Sequence, residues 1–156
     1  MWGLKRLMKN KESYLKLTTV LLRTNQHVTD VIKNDIISYD LNTTEFGTLE
    51  VLYHKGKQPI QSVGEKMLMA NSSMTYVVDK LVKRGFISKV QDEKDRRNTL
   101  IDLTHEGKDF FESIFDHHVE TLTQIYDILS PNETDELIKL LKKVGYRAKE
   151  IQGGKK

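Results

Sequence analysis

Two short stretches hold the side chains best suited to gripping a polyanion. The first is Asn71-Ser72-Ser73 with Thr75 and Tyr76, at the start of a predicted helix. The positive end of a helix and its unbonded N–H groups already favour phosphate there. Small hydroxyl and amide side chains allow close approach and can bond base edges or phosphates, and Tyr76 can meet a phosphate or a thymine methyl. Lys80, one helical turn beyond Tyr76, adds a cation to the same strip. The second stretch is Arg96-Arg97, preceded by Asp95. An arginine at a hairpin tip can enter the narrow minor groove of DNA, where the potential is most negative. Taken alone, the first group reads as helix caps and the second as a solvated loop, so the functional reading depends on the elements around them.

Those elements follow from hydrophobic periodicity. Leu17, Leu21, Val28, Ile32 and Tyr39 recur at steps of four and seven, which predicts a long amphipathic helix over 12–39. Asn42 followed by Glu45 is a helix-start signal. It opens a short helix that stops at Lys55-Gly56. After Pro59 a second short helix covers 61–68, with Gly64 inside it at a cost of about 1 kcal/mol relative to alanine. A third helix places Met74, Val77, Val78, Leu81 and Val82 on one face and polar residues on the other, and Gly85 ends it. The period then changes to that of strands at 86–90 and 99–103, around a charged loop over 92–98. Thr104 caps a helix with Phe111, Phe115, His118, Leu122, Ile125 and Leu129 along one seam. Ser130-Pro131-Asn132-Glu133 starts a final helix with Leu137, Leu141, Val144, Ala148 and Ile151 along another. Seams stepping by four and three suit helix–helix packing at about +20°. Three short helices, the third polar-faced, followed at once by a basic hairpin are the order of a winged helix-turn-helix. The expected fold is mainly α with a small β-hairpin wing. It is a single domain over 1–156, with a DNA-binding core at 43–104 between dimerisation helices at 1–40 and 105–156.

Composition narrows the alternatives. The 156 residues suffice for a core without cross-links. There is no cysteine, which removes disulfides, thiolate metal sites and thiol chemistry together. No run approaches the roughly 18 apolar residues of a membrane span, and the N-terminal stretch lacks the apolar core of a secretory signal, so a cytoplasmic location is expected. Net charge is only +3, and it is unevenly spread. Residues 1–16 hold five basic and one acidic side chain and residues 139–156 hold seven and one, leaving 13 basic and 20 acidic between them. With no broad basic face, DNA binding must rest on a few placed residues. Hydrolase, P-loop and dinucleotide motifs are missing, so neither an enzyme nor a cofactor is expected.

The segment Gln58–Gly107, with Asp95-Arg96-Arg97 followed by Leu103-Thr104-x-x-Gly107, resembles the DNA-binding core of the MarR family of bacterial regulators. The flanking long helices extend the resemblance over nearly the whole chain. It implies that Arg97 enters the minor groove, that Asp95 supports the wing by pairing with a nearby basic residue, and that Arg96 contacts the backbone or braces the wing. Two positions depart from the pattern: Leu68 stands where many relatives have a turn glycine, and Gly64 where alanine is common. The stretch from Pro59 to Leu81 also resembles a branch responding to quinones or hydroquinones.

Double-stranded DNA carrying a pseudo-palindromic operator is thus the expected partner. A homodimer is expected too, with Leu17, Leu122, Ile125, Leu141 and Val144 in its seam, because two recognition helices are needed to read two half-sites. The resemblance also implies a small-molecule effector, phenolic or quinone-like, for which Tyr39, Phe46, Tyr53 and Phe110 are candidate pocket residues that core packing explains equally well. A zinc-responsive variant would draw on His117 and His118. These are adjacent on a helix and point about 100° apart, so the two are expected not to face one ion. A winged-helix protein-interaction module without DNA binding is the remaining alternative.

Overall fold

The computed structural model describes residues 2–67, 71–92 and 98–154, with side chains described from Asn10 in the first helix and from Ser73 in the fourth. In chain order the elements are α1 (Trp2–Ser38), α2 (Thr43–Lys55), β1 (Gln58–Pro59), α3 (Ile60–Lys66), α4 (Asn71–Lys83), β2 (Ile87–Gln91), β3 (Thr99–Leu103), α5 (His105–Tyr126) and α6 (Pro131–Gly153). The described residues are mainly helical with one small antiparallel sheet, as the sequence predicts. They divide into two compact units, Met1–Val119 and Glu120–Lys156.

The helix starts follow local chemistry. The Asn42 side chain accepts from the backbone N–H of Thr44 and of Glu45, each at 2.9 Å, while Glu45 Oε2 accepts from Asn42 N–H at 2.9 Å. Ser130 and Glu133 repeat this reciprocal arrangement at α6, with Pro131 in the first turn. Both α2 and α4 end at glycines with positive φ nearby, +67° at Gly56 and +79° at Gly85. Helix α1 starts at Trp2, ten residues before the start expected at 12.

The sheet has order β1-β3-β2, one strand more than the expected hairpin. β2 pairs with β3 from Ile87↔Leu103 to Gln91↔Thr99, and β1 pairs with β3 through Gln58↔Ile101 and Pro59↔Leu100. Two residues, one of them proline, are too few to show alternation, which is why β1 is silent in sequence. The core of the first unit gathers Leu49 and Leu52 of α2, Val63 of α3, Met74, Val78 and Leu81 of α4, Ile87 and Ile101 of the sheet, and Phe111 of α5. Removal of such side chains from water is the main favourable contribution to folding, about 1.5–3 kcal/mol each.

Candidate nucleic-acid interface

Helix α4 has two sides set by its sequence. Met74, Val77, Val78 and Leu81, spaced at i, i+3, i+4 and i+7, are buried. Ser73 and Thr75 are exposed, and Tyr76 is 72% exposed, unusual for so large a ring. Val82, which the pattern puts with the buried group, lies at the margin. The helix has 13 residues, about 20 Å of length, which matches a major groove. Asn71 and Ser72 fall in its first turn. The wing residues Asp95, Arg96 and Arg97, and Leu68 before α4, lie outside the described residues.

Contacts of Asp79, Lys80 and Arg84 hold α4 and the turn after it in place. Asp79 forms an ion pair with Lys89 of β2, tying the helix to the root of the wing. Lys80 places its ammonium 2.5 Å from Glu45 Oε1, and the Glu45 side chain is only 1% exposed. This hydrogen bond and charge raise the Lys80 pKa above its ordinary value. The stabilisation is therefore complete below the unfolded pKa and is lost only as pH rises through the folded one. Arg84 donates to the Asp40 carbonyl at 2.6 Å and lies 4.9 Å from the centre of the Phe86 ring. Asp40 adopts φ +55° in the turn between α1 and α2. Phe86 in turn stacks on Phe110 at 4.4 Å and 11°. The sequence marks Glu45 as a helix-start residue, Lys80 as a DNA contact and Phe110 as a pocket residue, and shows none of these pairings. An ion pair between distant elements leaves no periodic trace.

The Leu103-Thr104-x-x-Gly107 motif has a physical explanation. Thr104 Oγ1 accepts from Gly107 N–H at 2.9 Å and donates to the Gly85 carbonyl at 2.6 Å, while Thr104 N–H donates to the Phe86 carbonyl at 3.0 Å. Thr104 thus caps α5 and fastens it to the turn that ends α4. Gly107 packs against the Phe86 backbone, leaving no room for a Cβ.

The four candidate pocket aromatics have separate surroundings. Phe46 is buried, 5.5 Å from Phe111 and 4.5 Å from His118 between ring centres. Tyr53 packs on Phe111 and Phe115, and its hydroxyl donates to Glu112 at 3.0 Å. That bond, with burial and the charges of Glu112 and Asp116, raises the Tyr53 pKa. Phe110 stacks on Phe86, and Tyr39 meets His117 edge-on. Among these four, Tyr53 lines an open cavity of about 320 Å³ with Leu52, Asp102, Leu103, Thr104, His105 and Lys108.

The two adjacent histidines reach different oxygens of one carboxylate. His118 Nδ1 is 2.6 Å from Asp35 Oδ2 and His117 Nδ1 is 3.2 Å from Asp35 Oδ1. Two atoms of one carboxylate can serve imidazoles that diverge along a helix. Tyr39 donates to Asp35 Oδ1 at 2.7 Å and sits 2.6 Å from His117 Nδ1. Among the described residues no group of three or more His, Asp or Glu side chains is placed to hold a metal ion. Of the seam residues, Leu17 on α1 and Leu141 and Val144 on α6 are exposed, and Leu122 and Ile125 on α5 are half-buried. Helix α6 has no buried residue at all.

Three short helices, the last with an exposed polar side, running into an antiparallel hairpin define a winged helix-turn-helix. The chain belongs to the MarR family of transcriptional regulators and is not an enzyme. The family model matches residues 41–99, from Leu41 just before α2 to Thr99, the first residue of β3. The HTH-type transcriptional regulator MhqR of Bacillus subtilis is 39% identical over 140 residues, covering 90% of this chain and 97% of that protein. In solved structures the same fold occurs in AbsC, a MarR family transcriptional regulator from Streptomyces coelicolor, with TM-score 0.80, 19% identity and coverage of 87% and 94%. It occurs also in a MarR variant from E. coli complexed with operator DNA, with TM-score 0.74, 20% identity and coverage of 85% and 95%. Among the described residues no helix is long and apolar enough to cross a membrane.

Proposed function

We propose that this protein is a homodimeric, sequence-specific DNA-binding repressor, acting in the cytoplasm, whose α4 reads the major groove while its wing reaches the adjacent minor groove. The observation that carries the reading is the exposure of Ser73, Thr75 and Tyr76 opposite a fully apolar buried side of the same helix. An exposed tyrosine beside small hydroxyls matches what a groove presents: phosphate acceptors, base edges and thymine methyls. Asn71 and Ser72 belong to the same first turn, and Arg96 and Arg97 supply the wing contact, with Asp95 as its support. The operator complex of the related fold supports the same docking here.

The dimer is supported by apolar side chains left without cover. On α6, Leu137, Leu140, Leu141 and Val144 are exposed, and on α1 Tyr14, Leu15, Leu17 and Val20 are. Amphipathic helices of this length need a partner for such faces, and a second copy provides one. A dimer also places two recognition helices about one helical turn of DNA apart, so a pseudo-palindrome is read. Relief of repression falls to a small phenolic or quinone-like effector that binds one spacing of the recognition helices better than the other. The Tyr53 cavity is the candidate location.

Selection of bound fragments from genomic DNA by the purified protein, followed by affinity measurements over a salt series, tests this function. A shared inverted repeat, bound with a steep loss of affinity as salt rises, is the expected result. Recovery of unrelated fragments with no common repeat would overturn it.

A further inference from the structure

Helix periodicity puts Lys80 on the strip that carries Ser73 and Tyr76, where it would be taken for a phosphate contact. Its ammonium is nonetheless committed to Glu45. Glu45 Oε2 is occupied by the Asn42 N–H, and the buried Glu45 Oε1 accepts no hydrogen bond among the described residues, so the Lys80 ammonium 2.5 Å away is the charge that compensates it. The Glu45 side chain is almost completely buried while that of Lys80 is 47% exposed. If Lys80 swung out to a phosphate, it would leave a carboxylate charged and uncompensated inside the protein, a state far more costly than a surface contact is worth.

We propose that Lys80 is a positioning residue and not a phosphate ligand: through the buried Glu45 it locks the middle of α4 to the first turn of α2 and so fixes the rotation of α4 about its own axis. The inference rests on the reading of α4 as the DNA-facing helix. Glu45 suits the task because it is itself immobilised as the capping-box partner of Asn42, bonded to the Asn42 N–H at one oxygen and ion-paired with Lys80 at the other. A helix turned by a fraction of a residue step redirects Ser73, Thr75 and Tyr76 together. Base contacts suffer from such an error more than phosphate contacts do, since only the former depend on alignment with particular edges. Lys80 therefore governs selectivity for sequence and leaves the electrostatic part of binding alone. The raised Lys80 pKa, caused first by its bond to Glu45, agrees with that commitment.

The test uses the full chain with a duplex that the wild type selects from a random pool and an unrelated duplex of equal length. Affinities for both are measured over a salt series with Lys80→Gln, Glu45→Gln and the double variant, alongside thermal unfolding. Lys80→Gln is expected to weaken the selected duplex by about tenfold, the scale of one mispaired base position, with the unrelated duplex and both salt slopes unchanged. The double variant, which removes the stranded charge and retains a neutral amide pair, recovers selectivity at the wild-type slope. It decides the matter even if Lys80→Gln fails to fold. A salt slope reduced by about 0.9 per protomer in either variant, with equal loss on both duplexes, identifies a phosphate contact and overturns the proposal. So does a lowered unfolding temperature with selectivity intact, which marks a purely structural pair. If the wild type selects no duplex at all, the DNA-facing reading of α4 fails first, a result distinct from either.

Discussion

Gly107 lies so close to Phe86 that a Cβ on Gly107 would overlap the Phe86 carbonyl oxygen and approach its carbonyl carbon to 2.8 Å. The obstacle is backbone, and that backbone is itself bonded to Thr104 N–H at 3.0 Å. It cannot give way as a flexible side chain would. Gly107→Ala is therefore expected to destabilise the fold by about 3 kcal/mol, at the upper end of overpacking costs, read as a lower urea midpoint with little change in slope. A midpoint within experimental error of wild type would show that α5 can move away from the turn after α4.

Asp35 is the hub of the polar contacts between α1 and α5, with His118 buried beside it. Removing the carboxylate leaves a buried imidazole without its partner, so Asp35→Ala should cost about 1–3 kcal/mol in chemical denaturation. Asp35→Asn, which can still accept a hydrogen bond, should cost clearly less. Equal losses would mean that the acceptor atom contributes nothing beyond volume.

The start of α6 carries a pH dependence with a definite sign. Hydrogen bonds from the Ser130 backbone and side chain lower the Glu133 pKa below 4.5. The contribution is present above the unfolded value and is lost as pH falls through the lower folded value. Protection of the amides in the first turn of α6, relative to their intrinsic exchange at each pH, should fall in that acid window and hold between neutral pH and about 5. Glu133→Gln, which can still close the capping box, should flatten the dependence.

The apolar face of α6 predicts an assembly. Leu141→Lys together with Val144→Lys is expected to convert a dimer to monomers in sedimentation, while helicity of the first unit is retained. Persistence of the dimer would place the interface elsewhere.

Much of this fold was legible in residue patterns, for reasons that can be named. Asn42 with Glu45 and Ser130 with Glu133 act within one turn, so their signals are local and complete. The buried side of α4 was legible because Met74, Val77, Val78 and Leu81 repeat at the helical period. What escaped was set by distant partners: Asp79 with Lys89, Arg84 with Asp40, Lys80 with Glu45, and both histidines on Asp35. Each is a pair whose members have no fixed spacing, so only the folded chain brings them together. The pocket aromatics illustrate the same limit, since a list of rings does not say which share a cavity. Tyr53 borders one, and Phe46 fills the core.

The central claim is that the exposed side of α4 and the wing hold DNA together. Its most direct test is an amide NMR titration of the protein with a duplex selected by it. Shifts should concentrate at 71–76 on α4 and across the hairpin at 92–98, and Tyr76→Ala should weaken binding while leaving the hairpin shifts in place. Shifts confined to other helices, with α4 unperturbed at saturation, would contradict the account.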